Sequence, residues 1–176
     1  TDKVDLGVGV YKDEQGRTPI MAAVREAEQR LHDEQATKSY LGLVGDTAFN
    51  AHMIGVVFGE NADRARLRAA QTPGGTGALR LLADLIRASR PDATVHVPDP
   101  TWPNHLPILR AAGLKSATYP YFDTATGGVK FDAMVAALKA LPAGDVVLLH
   151  GCCHNPTGAD LSSDQWAIVA DLLAGR

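Results

Sequence analysis

Cysteine is nearly missing from the 176 residues: two occur, Cys152 and Cys153, and they are neighbours. Adjacent cysteines make a poor disulfide and do not match zinc-ligand spacing, so the chain is expected in a reducing compartment, the cytoplasm. No apolar run reaches the ~18 residues of a membrane span, and the first residues lack a signal-peptide pattern, so no membrane association is expected. Charge of one sign is also scarce. Seventeen Lys and Arg against 20 Asp and Glu leave a net charge of −3, which argues against a nucleic-acid partner. The nearest basic run, Arg64, Arg66 and Arg68, reads as one solvated face of a strand. Aromatic residues are few at 6%, yet 45% hydrophobic and 21% charged residues are ordinary globular composition. The length suits one large domain, or one domain with part of another.

The chain opens on an extended, glycine-bearing segment, Val4 to Tyr11, and a polar turn, Lys12 to Arg17. Thr18 and Pro19 form a cap-and-proline start for a helix whose apolar stripe is Ile20, Val24, Ala27 and Leu31. Asp46 or Thr47 opens a second helix with Phe49, Met53, Ile54 and Val57 as its buried stripe, and Gly59 stands past its end. Arg66 to Thr72 reads as a strand leading into a glycine turn, and Ala78 to Ala88 as a helix. Thr94 to Pro98 and Leu114 to Tyr121 are further strands, with a helix over Asn104 to Ala112 between them. Asp132 is expected to cap the helix Ala133–Leu141. Val146 to Leu149 is apolar without alternation, as in a strand covered on both faces. Ser162 and Gln165 form a capping box for a last helix whose buried face is Trp166, Val169, Ala170 and Leu173. Alternation of strand and helix from about Arg66 predicts an α/β fold with a mainly parallel sheet flanked by helices, and ligands at the carboxyl ends of the strands. A parallel sheet normally continues after such a last helix, so the chain is expected to be part of a longer protein.

Three loops carry candidate chemistry. In Gln71-Thr72-Pro73-Gly74-Gly75-Thr76-Gly77-Ala78-Leu79-Arg80, glycines and a threonine precede a helix whose free N–H groups and partial positive charge suit a phosphate. A tight turn without a ligand is the plain alternative. The third glycine of a dinucleotide fingerprint is missing, as is the Gly-Lys-Ser/Thr of a Walker loop. Asp99 nevertheless stands where a ribose-binding acid could, so a nicotinamide-dependent oxidoreductase stays open. In Asp99-Pro100-Thr101-Trp102-Pro103-Asn104-His105, two prolines stiffen the loop carrying Trp102, whose ring either stacks on a flat ligand or packs in the core. His105 taken alone reads as a hydrogen-bonded residue at a helix start. In His150-Gly151-Cys152-Cys153-His154-Asn155-Pro156-Thr157-Gly158, neighbouring side chains cannot readily converge on one tetrahedral ion, so no metal is expected. Asn155, held out of the helical region by Pro156, can aim its amide at a ligand.

Five motifs in this order resemble the aspartate and aromatic amino-acid aminotransferases, fold-type I enzymes that use pyridoxal phosphate. They are Leu6-Gly7-Val8-Gly9-Val10-Tyr11-Lys12-Asp13, Tyr40-Leu41-Gly42, Thr72 to Arg80, Trp102-Pro103-Asn104-His105 and Cys152 to Gly158. The resemblance implies that Gly75 and Thr76 bind the cofactor phosphate and that Trp102 stacks on the pyridine ring. It implies that Asn155 bonds the ring's phenolic oxygen and helps hold the substrate carboxylate, and that Gly9 lends a backbone N–H to the substrate. Tyr40 is similar to a tyrosine that reaches the phosphate of a neighbouring subunit, which implies a homodimer. His105 is similar to a histidine standing behind the carboxylate that meets the ring nitrogen. Cis bonds at Asp99-Pro100 and Asn155-Pro156 are implied as well. The family's catalytic lysine sits in a Ser-x-x-Lys setting, and none of the six lysines here does, so no catalytic residue is expected within this chain. On this resemblance residues 1–17 belong to the small domain or its hinge, and 18–176 to the front of the large cofactor domain. The implied reaction moves an amino group from aspartate, glutamate or an aromatic amino acid to a 2-oxo acid. A non-catalytic dimerisation or binding module of the same fold is the remaining alternative.

Overall fold

The computed structural model describes residues 9–174. The expected extended segment Val4 to Tyr11 therefore lies mostly outside the described residues, and its last three have no regular structure. The chain divides into two compact units, Thr1–Leu43 and Val44–Arg176.

In the first unit the polar turn after Lys12 is tied by Asp13, whose carboxylate accepts from the backbone N–H groups of Gln15 and Arg17 and from the Arg17 side chain. Helix α1 spans Ala22–Glu34 and starts later than expected. Thr18 and Pro19 lie in the extended approach, and the N-cap residue, Met21, makes no capping bond. No α1 residue is buried, so the stripe of Val24 and Leu31 is exposed.

The second unit opens with α2, Thr47–Phe58, capped by the Asp46 carboxylate, which accepts from the Phe49 N–H at 2.7 Å. Its expected core stripe is a correction: Phe49, Met53 and Val57 are exposed, and Asn50 alone is buried. Arg66 to Thr72 is a second correction. A 3-10 turn at Arg64–Arg66 stands there, and the residues after it are irregular, because among the described residues no strand pairs with them. Helix α3, Gly74–Ser89, begins a turn earlier than expected, so the glycines form its first turn.

Strand β1 is Thr94–Asp99, α4 is His105–Ala111 and β2 is Lys115–Pro120. A small antiparallel hairpin, β3 (Phe122–Asp123) with β4 (Gly128–Val129), was not foreseen. Its turn rests on Asp123, which accepts from Ala125 N–H and the Thr126 hydroxyl, and on Gly127 at φ 69°. Helix α5 is Phe131–Ala140, entered from Lys130 without a side-chain cap, so Asp132 sits in its first turn instead of before it. Strand β5 is Val146–Val147, and α6 is Ser163–Ala174. The Ser162–Gln165 capping box forms in both directions, at 2.9 and 3.3 Å.

The main sheet has the order β2-β1-β5, all parallel, with Val95 opposite Ser116 and Val146. Side chains alternate across it. Val95, Val97, Val146 and Leu148 pack with α3 and α4 residues Ala83 and Leu109, whereas Tyr119, Val147 and Leu149 pack with Met134, Leu138 and Val169 of α5 and α6. Both faces are thus covered, as the unalternated Val146 to Leu149 run implied. Each fully buried valine or leucine contributes roughly 1.5–3 kcal/mol, and the two clusters hold the strand ends in place. At the amino ends a part-buried hydrogen bond joins His96 Nε2 to the Asp145 carboxylate at 2.9 Å, and Asp145 also accepts the Thr94 N–H.

Candidate active site

Strand β1 connects onward to β2 on one side and lies beside β5 on the other, so the crevice between the carboxyl ends of β1 and β5 is where strand order reverses. Such a switch point is where open α/β sheets place ligands. A cleft of about 310 Å³ stands there, lined by Leu79 of α3, by Trp102 and His105 after β1, and by Leu148, Leu149, His150, Cys152 and Asn155 around the end of β5.

The loop after β1 contains a cis bond at Asp99-Pro100 and the loop after β5 another at Asn155-Pro156. Trp102 is half-buried with its ring on the cleft, rather than in the core, and meets the edge of His105 at 5.3 Å and 80°. His105 is buried at the start of α4 and bonds the Thr101 hydroxyl at 2.7 Å through Nδ1. The same hydroxyl meets His150 Nε2 at 3.3 Å, and the Asn155 N–H donates to His150 Nδ1 at 3.1 Å. This order assigns the protons. His150 Nδ1 accepts, so its proton is on Nε2 and is given to Thr101 Oγ1. The Thr101 hydroxyl hydrogen then goes to His105 Nδ1, which leaves His105 a proton on Nε2.

Burial, with the nearby His150, pushes the His105 pKa down; burial pushes His150 down as well, opposed by Asp160. His154 stacks between His150 and Tyr121 at 4.2 and 4.1 Å, and burial first, then His150, lowers it to about 4. All three imidazoles are therefore neutral at pH 7 and act as hydrogen-bonding plates. His154 Nδ1 meets the Thr157 hydroxyl at 2.8 Å, while its Nε2 is buried without a partner among the described residues.

Gly75 and Thr76 are exposed in the first turn of α3 and are not among the residues lining the cleft. They precede Leu79 by four and three residues, so they share its helix face one turn toward the N-terminus. No side chain caps that turn, the Gly74 N–H is engaged by Thr72 O at 2.8 Å, and open space lies in front of Gly75. Its remaining N–H donors and the Thr76 hydroxyl fit an anion, and the indole and amide in the cleft fit a flat polar ring. A flat aromatic phosphate ester therefore suits this donor set. Tyr40 and Gly9 lie in the first unit; Tyr40 is fully exposed. Among the described residues no group of three His, Cys, Asp or Glu side chains could hold a metal ion, and both cysteines are free and exposed.

Sequence reasoning missed Leu79, Thr101, Tyr121 and Asp160. Thr101 carried a usable signal, since a hydroxyl four residues before His105 at a helix entry can reach back to its ring. Asp160 stands two residues beyond the glycine of the Asn-Pro-Thr-Gly turn, where an acid can accept the loop's N–H groups.

The fold and the cleft define an α/β domain with a cleft at the carboxyl ends of a parallel sheet. The chain belongs to the aminotransferase class I and II family, which it matches over residues 1–176. It is 52% identical over 171 residues to the aromatic-amino-acid aminotransferase of Paracoccus denitrificans, covering 97% of this chain and 43% of that protein. It is 45% identical over 173 residues to the aspartate aminotransferase of Escherichia coli (strain K12), covering 97% and 44%. Among solved structures, an aromatic-amino-acid aminotransferase from Burkholderia pseudomallei covalently bound to pyridoxal phosphate matches with a TM-score of 0.92 and 42% identity, over 99% of this chain and 44% of that one. The chain thus spans under half the length of these relatives. The kinship is with aminotransferases, not with the nicotinamide-dependent oxidoreductases that the glycine turn also allowed.

Proposed function

We propose that this chain forms the front part of a pyridoxal-phosphate-dependent aminotransferase that moves an amino group from aspartate, glutamate or an aromatic amino acid to a 2-oxo acid. The observation that carries the reading is the meeting of Trp102, His105 and Asn155 on one cleft at the strand-order reversal, with the uncapped α3 turn one step away. The names of the relatives, aromatic-amino-acid and aspartate aminotransferases, support it.

When bound, pyridoxal phosphate supplies an electron sink for bonds broken at the amino acid's α-carbon. The protein's part is orientation and electrostatics. Gly75 and Thr76 present backbone N–H groups and a hydroxyl to the phosphate. Trp102 lays its indole against the ring, and Asn155 turns its amide to the phenolic oxygen and the substrate carboxylate. The chain of His150, Thr101 and His105 holds a proton on His105 Nε2, ready to bond a carboxylate that meets the ring nitrogen. Gly9 offers its N–H to the substrate. Tyr40, exposed on its own unit, reaches the phosphate of a second copy, so the active form is a homodimer. The lysine that links to the cofactor and moves the α-proton lies outside these 176 residues. Two free cysteines agree with a reducing, cytoplasmic setting.

The test is to incubate the complete protein with pyridoxal phosphate, 2-oxoglutarate and either aspartate or phenylalanine, and to follow glutamate. Cofactor-dependent glutamate formation is expected, with none from residues 1–176 alone. A complete protein that binds the cofactor and turns over neither donor would be a binding or dimerisation module, and the reading would fail.

A further inference from the structure

We infer that Asp160 is a positioning residue for the cleft: by gripping the backbone just before Asn155 it sets where that side-chain amide points. The inference rests on the cofactor reading above. Asp160 is not among the residues that line the cleft; its hold on the loop backbone acts alongside the charge it presents to His150, and loop exchange tells the two apart.

The loop makes an unusual demand on its backbone. Cys153 has φ 52°, in the left-handed region that a side chain with a Cβ rarely occupies, and such a conformation persists only where the surroundings hold it. Three consecutive N–H groups meet side chains there. Those of Cys153 and His154 donate to the two Asp160 carboxylate oxygens, each at 2.8 Å, and that of Asn155 donates to His150 Nδ1 at 3.1 Å. A run of backbone N–H groups curled in this way is an anion nest, and here the anion is the chain's own carboxylate. These bonds, from His154 first and Cys153 second, hold the Asp160 pKa below the usual carboxylate range, so the charge is present throughout the working range. The far side of the loop is closed by the Gly158 N–H on His154 O and by Thr157, which meets His154 Nδ1 and accepts the Ala159 N–H. His154 itself is wedged between two rings. Asn155 is thus the residue at which a clamped backbone releases one side chain into the cleft.

An asparagine at this place keeps the size but only one acceptor; its NH₂ group would face a backbone N–H. The complete protein is compared with its Asp160→Asn and Asp160→Ala variants. Four quantities are read: pyridoxal phosphate dissociation constant, KM and kcat for the amino donor, amide hydrogen exchange at residues 153–155, and unfolding temperature. Losing charge-assisted bonds is expected to weaken cofactor binding and raise KM by roughly tenfold or more, with kcat within about threefold. Exchange at residues 153–155 should speed up in both variants. Added formate, a carboxylate small enough for the vacated nest, should restore cofactor affinity in Asp160→Ala and not in Asp160→Asn. A fall in unfolding temperature with unchanged dissociation constant and KM would reduce Asp160 to a structural residue and overturn the inference. Weaker binding without faster exchange would overturn it too, because the effect would not run through the loop. Wild-type protein that binds no pyridoxal phosphate would instead bring down the cofactor reading, and this inference with it.

Discussion

The two walls of the cleft are built in opposite ways. On the β5 side nearly every polar group is already engaged: Asp160 takes two backbone N–H groups, His150 takes a third, Thr101 joins two histidines, and two imidazoles and a tyrosine stack in a column that His105 meets edge-on. On the α3 side the first turn has no side-chain cap, and Gly74 and Gly75 leave space in front of their backbone, while Gly77 packs against Pro73. The contrast separates two tasks. Groups that must define a direction are satisfied internally, so the shape exists before a ligand arrives. On the proposed reading, groups that would hold a charge are left with unmet donors, for a ligand to complete.

The sharpest way to break the engaged wall is at its centre. His154 is 1% exposed and packed on both faces by rings. His154→Ala removes both stacks and leaves a cavity, so a loss of about 3 kcal/mol is expected in urea unfolding. His154→Phe keeps the plates while deleting both the bond to Thr157 and the orphaned buried Nε2, which act in opposite directions. A change within about 1 kcal/mol is expected. Equal losses in the two variants would show that the stack contributes little.

Acid attacks the same wall more gently. His154 is depressed from 6.5 to about 4, and His105 and His150 move in the same direction. Below about pH 6.5 the unfolded chain takes up protons that these folded imidazoles refuse, so stability is complete above that pH. It erodes as pH falls toward 4, where folded His154 protonates as well. Discounted for solvent near the loop, the His154 share is about 2 kcal/mol. Asp160 acts lower: its ionised form stabilises the fold above the usual carboxylate range, and that share goes only as pH falls below about 4. Urea midpoints at pH 7, 5.5 and 4.5 should therefore fall steadily in the wild type and more shallowly in His154→Phe. A flat profile would contradict neutral, buried histidines.

The sequence disclosed the engaged wall less well than the open one, for a physical reason. Gly75 and Thr76 are local: a glycine-rich stretch before an apolar helix shows itself within ten residues. The capping box at Ser162 and the doubly covered β5 run are likewise short-range patterns, and both are present. Trp102, His105 and Asn155 come together only because β1 and β5 are adjacent, a tertiary fact that the motifs implied by resemblance and spacing did not. The expected strand at Arg66 to Thr72 and the expected core stripe of α2 failed together. Both assumed covering elements, and none is found among the described residues. Amphipathic spacing states that a face seeks cover, not that the cover is at hand.

The smallest expected effect tests the open wall. The Thr76 hydroxyl is exposed and makes no hydrogen bond among the described residues, so Thr76→Val should leave stability within about 0.5 kcal/mol. If the turn holds a phosphate, the same change removes one donor from an anion and should weaken pyridoxal phosphate binding by roughly tenfold, near 1.4 kcal/mol. Pyridoxal without its phosphate isolates the cause, because its weaker binding should be indifferent to the substitution. That pattern is the reverse of the one at His154, where stability moves first and binding follows. Were Thr76→Val to lower stability and spare binding, the hydroxyl would belong to the fold, and the division of labour between the walls would not hold.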